Sequence, residues 1–279
     1  MTLLIPTVFF LVLPAQILWL DISPAITLVT MGLVIVSFGL FIFTTFSDPG
    51  YIPRKEVQVA LGIQDHVRKQ IGIPAVNLLA EESVVITDDG KIIIENEFDD
   101  RILLTDVLSA SGYKYCTTCR IIRPPRASHC SDCDNCCLRH DHHCPFVNNC
   151  VGHRNYIFFT SFVVSSVALG LMILLSVIMW ISQGSDIFSP LTIRIIAFCV
   201  GIPVGLVLLV GTGFMMYHGY LVCKGETTRE NLRGRQTSTV TNDTNSAFLS
   251  SSFFSRPPRL YPPFNTIVRI PKRSSVVAI

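Results

Sequence analysis

Charge is scarce in this chain. Of its 279 residues only 15% are Asp, Glu, Lys or Arg, and the mean hydropathy is +0.49. A water-soluble globule of that size needs a larger polar shell, so that class is excluded. Acidic residues are missing from the middles of four long apolar stretches, at roughly 3–20, 25–46, 156–181 and 193–222. A bilayer core is crossed by about 20 apolar residues of helix, so each stretch qualifies as a span. No Lys or Arg precedes the first stretch, Pro6 and Pro14 interrupt it, and the second follows within a few residues. A retained helix, not a cleaved leader, is expected there. Aliphatic residues are in turn scarce over 113–159, where Cys, His, Arg and Asn take over. That segment is too poor in aliphatic side chains to fold around a core of its own, and metal is the available substitute.

What charge there is lies unevenly. Twelve of the 22 Lys and Arg fall between the second and third stretches, nine follow the fourth, and only Arg194 lies elsewhere. Lys and Arg accumulate on the cytoplasmic side of short loops, which places the loop 47–155, the tail 223–279 and both termini in the cytosol. The net charge of +2 is uninformative, and no strong basic stripe favours nucleic acid. Eight of the ten cysteines sit in the middle loop. In a reducing compartment thiols in such a loop bind metal or do chemistry in preference to forming disulfides. Cys199 and Cys223 are expected to pack in helices, although a juxtamembrane position such as that of Cys223 is one that could itself be acylated.

Breakers punctuate the rest. Asp48-Pro49-Gly50 ends the second span, and 83–96, with Asp88-Asp89-Gly90 at its middle, reads as a β-hairpin. Residues 236–255 are rich in Ser, Thr and Asn and read as a flexible tract, followed by a Pro/aromatic run at 256–264. No internal repeat is evident beyond the Cys-x-x-Cys units.

Cys116, Cys119, His129, Cys130, Cys133, Cys136, His143 and Cys150 make eight metal donors, the number that two tetrahedral zinc ions require. Spacing alone does not say which donors share an ion. It leaves Cys137, His140, His142, Cys144 and His153 as surplus. Of these, Cys137 reads as a small packing residue, and His140 and His153 as surface or packing histidines. In extended backbone, side chains alternate. If His143 turns toward metal, His142 and Cys144 are presented together on the other side. An imidazole there can take the thiol proton and stabilise the nucleophilic thiolate. Asp141 can orient the imidazole only if the chain turns locally, because alternation by itself sends it away. The competing reading makes Cys144 one more ligand and His142 a spacer.

The run Cys116-x2-Cys119-x9-His129-Cys130-x2-Cys133-x2-Cys136-x4-Asp141-His142-His143-Cys144-x5-Cys150 resembles the cysteine-rich domain of the DHHC protein S-acyltransferases. Asp48-Pro49-Gly50 and Thr227-Thr228-Arg229-Glu230 also fall where that family has short motifs. The resemblance implies an α-helical integral membrane protein. Four transmembrane helices, in pairs at 1–46 and 156–222, would flank a cytosolic cysteine-rich domain of short β-hairpins at about 113–160. It implies that Cys116, Cys119, His129 and Cys136 hold one structural zinc ion and Cys130, Cys133, His143 and Cys150 the other. It further implies Cys144 as the acylated nucleophile, His142 as base and Asp141 as its orienting group, with Thr228 and Glu230 bracing the site and Asp48 structural. The co-substrate would be a long-chain acyl-CoA, and the acceptors cysteine thiols of membrane-associated proteins. The setting would be the endomembrane system or the plasma membrane. Gly170, Gly201, Gly205 and Gly211 are candidates for shaping an acyl cavity among the spans. Arg120, Arg123, Arg126 and Arg139 are candidates for attracting CoA phosphates or lipid headgroups. Phe146 stands where the family commonly has Trp, Cys137 is unusual beside Cys136, and the tail has no clear match to the family's aromatic tail motif. The alternative function is a zinc-stabilised membrane adaptor without chemistry, against which the intact Asp141, His142 and Cys144 weigh.

Overall fold

A computed structural model describes residues 23–73, 81–183, 189–191 and 201–234, together with Thr7, Val8, Trp19, Ile195, Cys199, Arg259 and Leu260. In chain order its helices are α1 (Pro24–Phe46), α2 (Lys55–Leu61), α3 (Gln64–Gln70), α4 (Asp106–Ala110), α5 (Tyr156–Gln183), α6 (Ile202–Lys224) and α7 (Thr228–Leu232). The strands are β1 (Tyr51–Ile52), β2 (Ser83–Ile86), β3 (Ile92–Glu95), β4 (Lys114–Cys116), β5 (Ile121–Arg123), β6 (Ser128–Cys130), β7 (Asn135–Cys137), β8 (His142–Cys144) and β9 (Asn149–Val151). The chain divides into two compact units, 1–46 with 157–225, and 47–156 with 226–279.

In the first unit α1, α5 and α6 are each long and apolar enough to cross a membrane. The expected span at 3–20 lies outside the described residues apart from Thr7, Val8 and Trp19, as does most of 193–200 ahead of α6. Leu169, Ile173, Val177 and Trp180 of α5 form a buried cluster against Ile26, Leu33 and Val34 of α1. Val167 of α5 packs with Val204 and Leu208 of α6. Close approach depends on small residues, as between membrane helices generally. A Cβ on Gly170 would lie 2.8 Å from Leu208 Cδ2, and one on Gly211 3.2 Å from Val167 Cγ2, whereas Gly201 and Gly205 have nothing within 4 Å. Thr30, Ser37 and Thr44 form a buried stripe on α1. The hydroxyls of Thr30 and Thr44 donate to the carbonyls of Ile26 (2.8 Å) and Leu40 (2.7 Å), which lets them sit in apolar surroundings. Phe38 and Phe43 of α1 and Leu209 and Val210 of α6 are exposed, a pattern that suits lipid.

The second unit is built on three hairpins of one design. Their first strands begin at Lys114, Ser128 and His142, and their second at Ile121, Asn135 and Asn149, so the frame recurs every fourteen residues. Pairing keeps the same register: Cys116 faces Ile121, Cys130 faces Asn135, and Cys144 faces Asn149. Each turn contains a non-glycine residue with positive φ at the same point, Arg120 (54°), Asp134 (46°) and Asn148 (46°). Asp and Asn tolerate that region better than most residues; Arg120 is the exception. This is the repeat that inspection of the sequence did not find. Only the Cys at the third position is common to all three frames, because the remaining donors change from one to the next.

The hairpins do not stand alone. β1 extends the β6–β7 pair into a three-stranded sheet. An apolar cluster joins Ile121, Ile122 and Leu138 of the cysteine-rich segment to Ile52, Val67, Ile71, Ile73 and Leu260. The expectation that metal substitutes for a core is therefore amended. The segment contributes few aliphatic side chains and borrows the rest from both flanks. The expected hairpin at 83–96 forms, as β2 paired with β3.

Beside this core lies a buried ion network. Lys55 Nζ meets Glu82 Oε1 at 3.0 Å and Asp100 Oδ1 at 3.1 Å, and Arg68 Nη2 meets Asp100 Oδ1 at 2.6 Å. Two cations and two carboxylates balance, and the backbone N–H of Phe98 also donates to Glu82 at 2.8 Å. Removing one member of such a buried set leaves an uncompensated charge, which costs about 3–5 kcal/mol. Asp100→Ala is expected to lower the unfolding midpoint of the purified protein by a corresponding amount. Unchanged denaturation would show the network to be energetically neutral.

Candidate active site and metal clusters

Strand alternation sorts the donors. On β8, His143 is paired with Cys150 of β9 and turned to one face, while His142 and Cys144, two apart, share the other. The donor atoms gather into two groups, Cys116, Cys119, His129 and Cys136, and Cys130, Cys133, His143 and Cys150. Within each group all lie within 4.8 Å of one another. His129 Nδ1 stands 3.3 Å from Cys119 Sγ, and His143 Nδ1 3.3 Å from Cys133 Sγ. In each group a Cys-x-x-Cys turn of one hairpin meets a His and a Cys facing each other across the next, His129 with Cys136 and His143 with Cys150. Three soft thiols and an imidazole converging on one point suit a tetrahedral metal ion.

Cys144 belongs to neither group. Its thiol is buried, 7% exposed, and faces His142. Burial acts to raise its pKa, but the His142 hydrogen bond and the backbone N–H groups of Phe146 and Val147 outweigh that and hold it below the ordinary thiol value. His142 is also affected first by burial, which disfavours its cation. Asp141 and Cys144 reverse the effect and bring it up to about 9. Asp141 Oδ2 lies 2.6 Å from His142 Nδ1. Asp141 precedes β8, with its N–H donating to the Val151 carbonyl at 2.9 Å, and from that position its carboxylate reaches the His142 ring. Burial would raise the Asp141 carboxyl, but His142 and the Thr228 N–H hold it down. The arrangement favours the Cys144 thiolate and the His142 imidazolium more than an isolated thiol and imidazole would be favoured.

The segment after α6 holds this group from behind. Thr227 caps α7 in a capping box: its hydroxyl accepts from the Glu230 N–H at 3.2 Å, and Glu230 accepts from the Thr227 N–H at 2.8 Å. Thr228, next in line, donates its N–H to Asp141 Oδ1 at 2.8 Å. Glu230 is clamped by Arg126, Nε to Oε1 at 2.7 Å and Nη2 to Oε2 at 2.6 Å. Sequence reasoning singled out Thr228 and Glu230 but missed Thr227 as the cap and Arg126 as the clamp. The Thr-x-x-Glu spacing was the available signal for the cap, and nothing local points to Arg126. Of the four arginines offered as phosphate attractors, Arg126 is thus engaged, and Arg120 pairs with Glu56 and Glu97, both at 2.6 Å.

Asp48 Oδ1 accepts from the N–H groups of Gly50 (2.8 Å) and Tyr51 (3.0 Å), and its Oδ2 meets Arg154 Nε at 3.0 Å. Gly50 has φ +106°, and a Cβ there would lie 3.3 Å from Leu138 Cβ, so the turn needs glycine. Cys137 is fully buried, and Gly152 approaches so closely that a Cβ would lie 2.4 Å from the Cys137 Sγ. His140 and His153 are buried, not on the surface.

Residues 109–235 match the DHHC palmitoyltransferase family. The chain is 34% identical over 240 residues to palmitoyltransferase ZDHHC14 of Homo sapiens, covering 83% of this chain and 45% of that protein. It is 34% identical over 239 residues to palmitoyltransferase erf2 of Emericella nidulans, covering 84% and 37%. It is 33% identical over 242 residues to palmitoyltransferase ZDHHC9 of Bos taurus, covering 83% and 60%. The chain therefore spans less than two thirds of the length of these relatives. Through the matched segment, with its paired donor groups and its Asp-His-His-Cys strand, the chain belongs to the DHHC palmitoyltransferase family.

Proposed function

We propose that this protein is a membrane-embedded protein S-acyltransferase that moves a long-chain acyl group, such as palmitoyl, from acyl-CoA to cysteine thiols of membrane-associated proteins. The observation that carries the reading is the Cys144–His142–Asp141 chain, assembled beside two metal-donor groups without belonging to either. In the first step the Cys144 thiolate attacks the thioester carbonyl carbon. The bond to the CoA sulfur breaks, and the departing thiolate takes the His142 proton. In the second, an acceptor thiol gives its proton to His142 and attacks the Cys144 thioester, releasing Cys144 as thiolate. Asp141 keeps the His142 ring oriented and stabilises its charged form.

Two zinc ions would be held by the two donor groups, and all four positions on each ion would be filled. The metal would supply cross-links between successive hairpins. Four spans, the fourth being the stretch at 3–20, would put the loop 47–155 and both termini in the cytosol of an endomembrane or plasma-membrane protein. Acyl-chain burial among apolar spans is favourable by about 0.8 kcal/mol per CH2.

Purified protein incubated with labelled palmitoyl-CoA is expected to carry a hydroxylamine-sensitive label. Cys144→Ser is expected to carry none, and His142→Ala to load about 100-fold more slowly. Label persisting in Cys144→Ser would overturn the assignment, and no label on intact wild type would favour the adaptor. A second readout is pH. Because the Cys144 pKa is lowered and that of His142 is raised to about 9, the thiolate persists as pH falls below the usual thiol range. Iodoacetamide should thus alkylate Cys144 with a midpoint below that of a free thiol, and His142→Gln should move the midpoint upward. An identical midpoint in both would remove His142 from the thiol's environment. The metal reading predicts two zinc ions per chain by elemental analysis, with chelation loosening the hairpins as measured by hydrogen exchange. Zinc contents at or near zero in active protein would refute it.

A further inference from the structure

The three hairpins share a frame, and the frame shows what Cys144 is. Numbered within it, the third position is Cys116, Cys130 and Cys144. In the first two hairpins a second thiol follows three residues later, Cys119 and Cys133. Each such pair joins the second and ninth positions of the following hairpin, His129 with Cys136 and His143 with Cys150, to complete a four-donor group. In the third hairpin the place of the second thiol is taken by Val147, 1% exposed. After β9 the chain enters α5, so no following hairpin offers the other two donors. The backbone nevertheless keeps the knuckle form, with the same strand register, the same positive φ at the seventh position, Asn148, and N–H groups of Phe146 and Val147 directed at the Cys144 sulfur.

We propose that the Cys144 hairpin is a metal knuckle without its second thiolate, and that Val147 is the residue that keeps Cys144 free of metal. A Cys-x-x-Cys turn presents two thiolates to one soft ion, whereas one thiol with only the His142 imidazole, itself held by Asp141, beside it offers too few donors to retain one. Val147 is therefore a positioning residue that leaves the sulfur available for a carbon electrophile. The inference concerns the geometry of the hairpin. Only its consequence for catalysis rests on Cys144 being the nucleophile.

The test uses the full chain with Val147→Cys, beside wild type, Val147→Ala and the register control Phe146→Cys. Elemental analysis after cadmium exposure is expected to find one further ion per chain in Val147→Cys, absent from the other three. Cys144 should then become resistant to iodoacetamide, and the extra ion should be lost when Cys144→Ser is added. Phenylarsine oxide, which closes on paired thiols, should protect Cys144 in the same variant, and 2,3-dimercaptopropanol should reverse it. Val147→His examines the same position with an imidazole donor. Extra cadmium in either variant with its resident metal intact upholds the proposal. It is overturned if neither takes an extra ion, if both lose their resident metal, or if Phe146→Cys captures cadmium equally. These readouts need no acyl donor, so absence of acyl transfer leaves them interpretable.

Discussion

A β-strand sends successive side chains to opposite faces, and on β8 that rule separates two chemistries that would otherwise compete for one sulfur. His143 is turned to the second donor group, which leaves His142 and Cys144 together on the other face. Everything described at the site follows from keeping this strand in register. Pairing with β9 sets His143 opposite Cys150, the donor group fixes both, and the opposite face inherits the precision. A slip of one residue would exchange the face that carries His143 with the face that carries His142 and Cys144.

The brace behind the strand works by a different kind of force. Asp141 is buried, and a buried carboxylate is costly unless its oxygens find donors. His142 serves one oxygen and the Thr228 N–H the other. That N–H is positioned by a helix of one and a half turns, too short to be stable by propensity. The capping box and the Arg126 clamp supply what length cannot. A motif after the last apolar helix thus reaches the carboxylate that orients His142, and an arginine between two hairpins holds that motif through Glu230.

Much of this was legible in the chain, for physical reasons. Apolar run length announces α1, α5 and α6, because bilayer thickness fixes helix length. The alternation on β8 and the hairpin at 83–96 are local patterns, and local patterns survive into structure. What could not be read depends on distant partners. Arg126 looks like any basic residue until Glu230 is placed against it, and Arg120 until Glu56 and Glu97 are. The buried network of Lys55, Arg68, Glu82 and Asp100 has no local sequence signal for the same reason. For His140 and His153 the choice between surface and packing roles stayed open in the sequence, because burial depends on residues distant along the chain. The fourteen-residue frame was hidden by divergence: Tyr115, His129 and His143 share one position and have little else in common.

The apolar cluster beneath the first donor group includes Leu260, which is 3% exposed. A side chain so late in the chain completes packing that begins at Ile52. During synthesis, then, the hairpins emerge long before this hydrophobic neighbour leaves the ribosome. Premature stop codons or splice variants that end upstream of that leucine would yield polypeptides with every candidate catalytic and donor residue present and a hole in the packing underneath them.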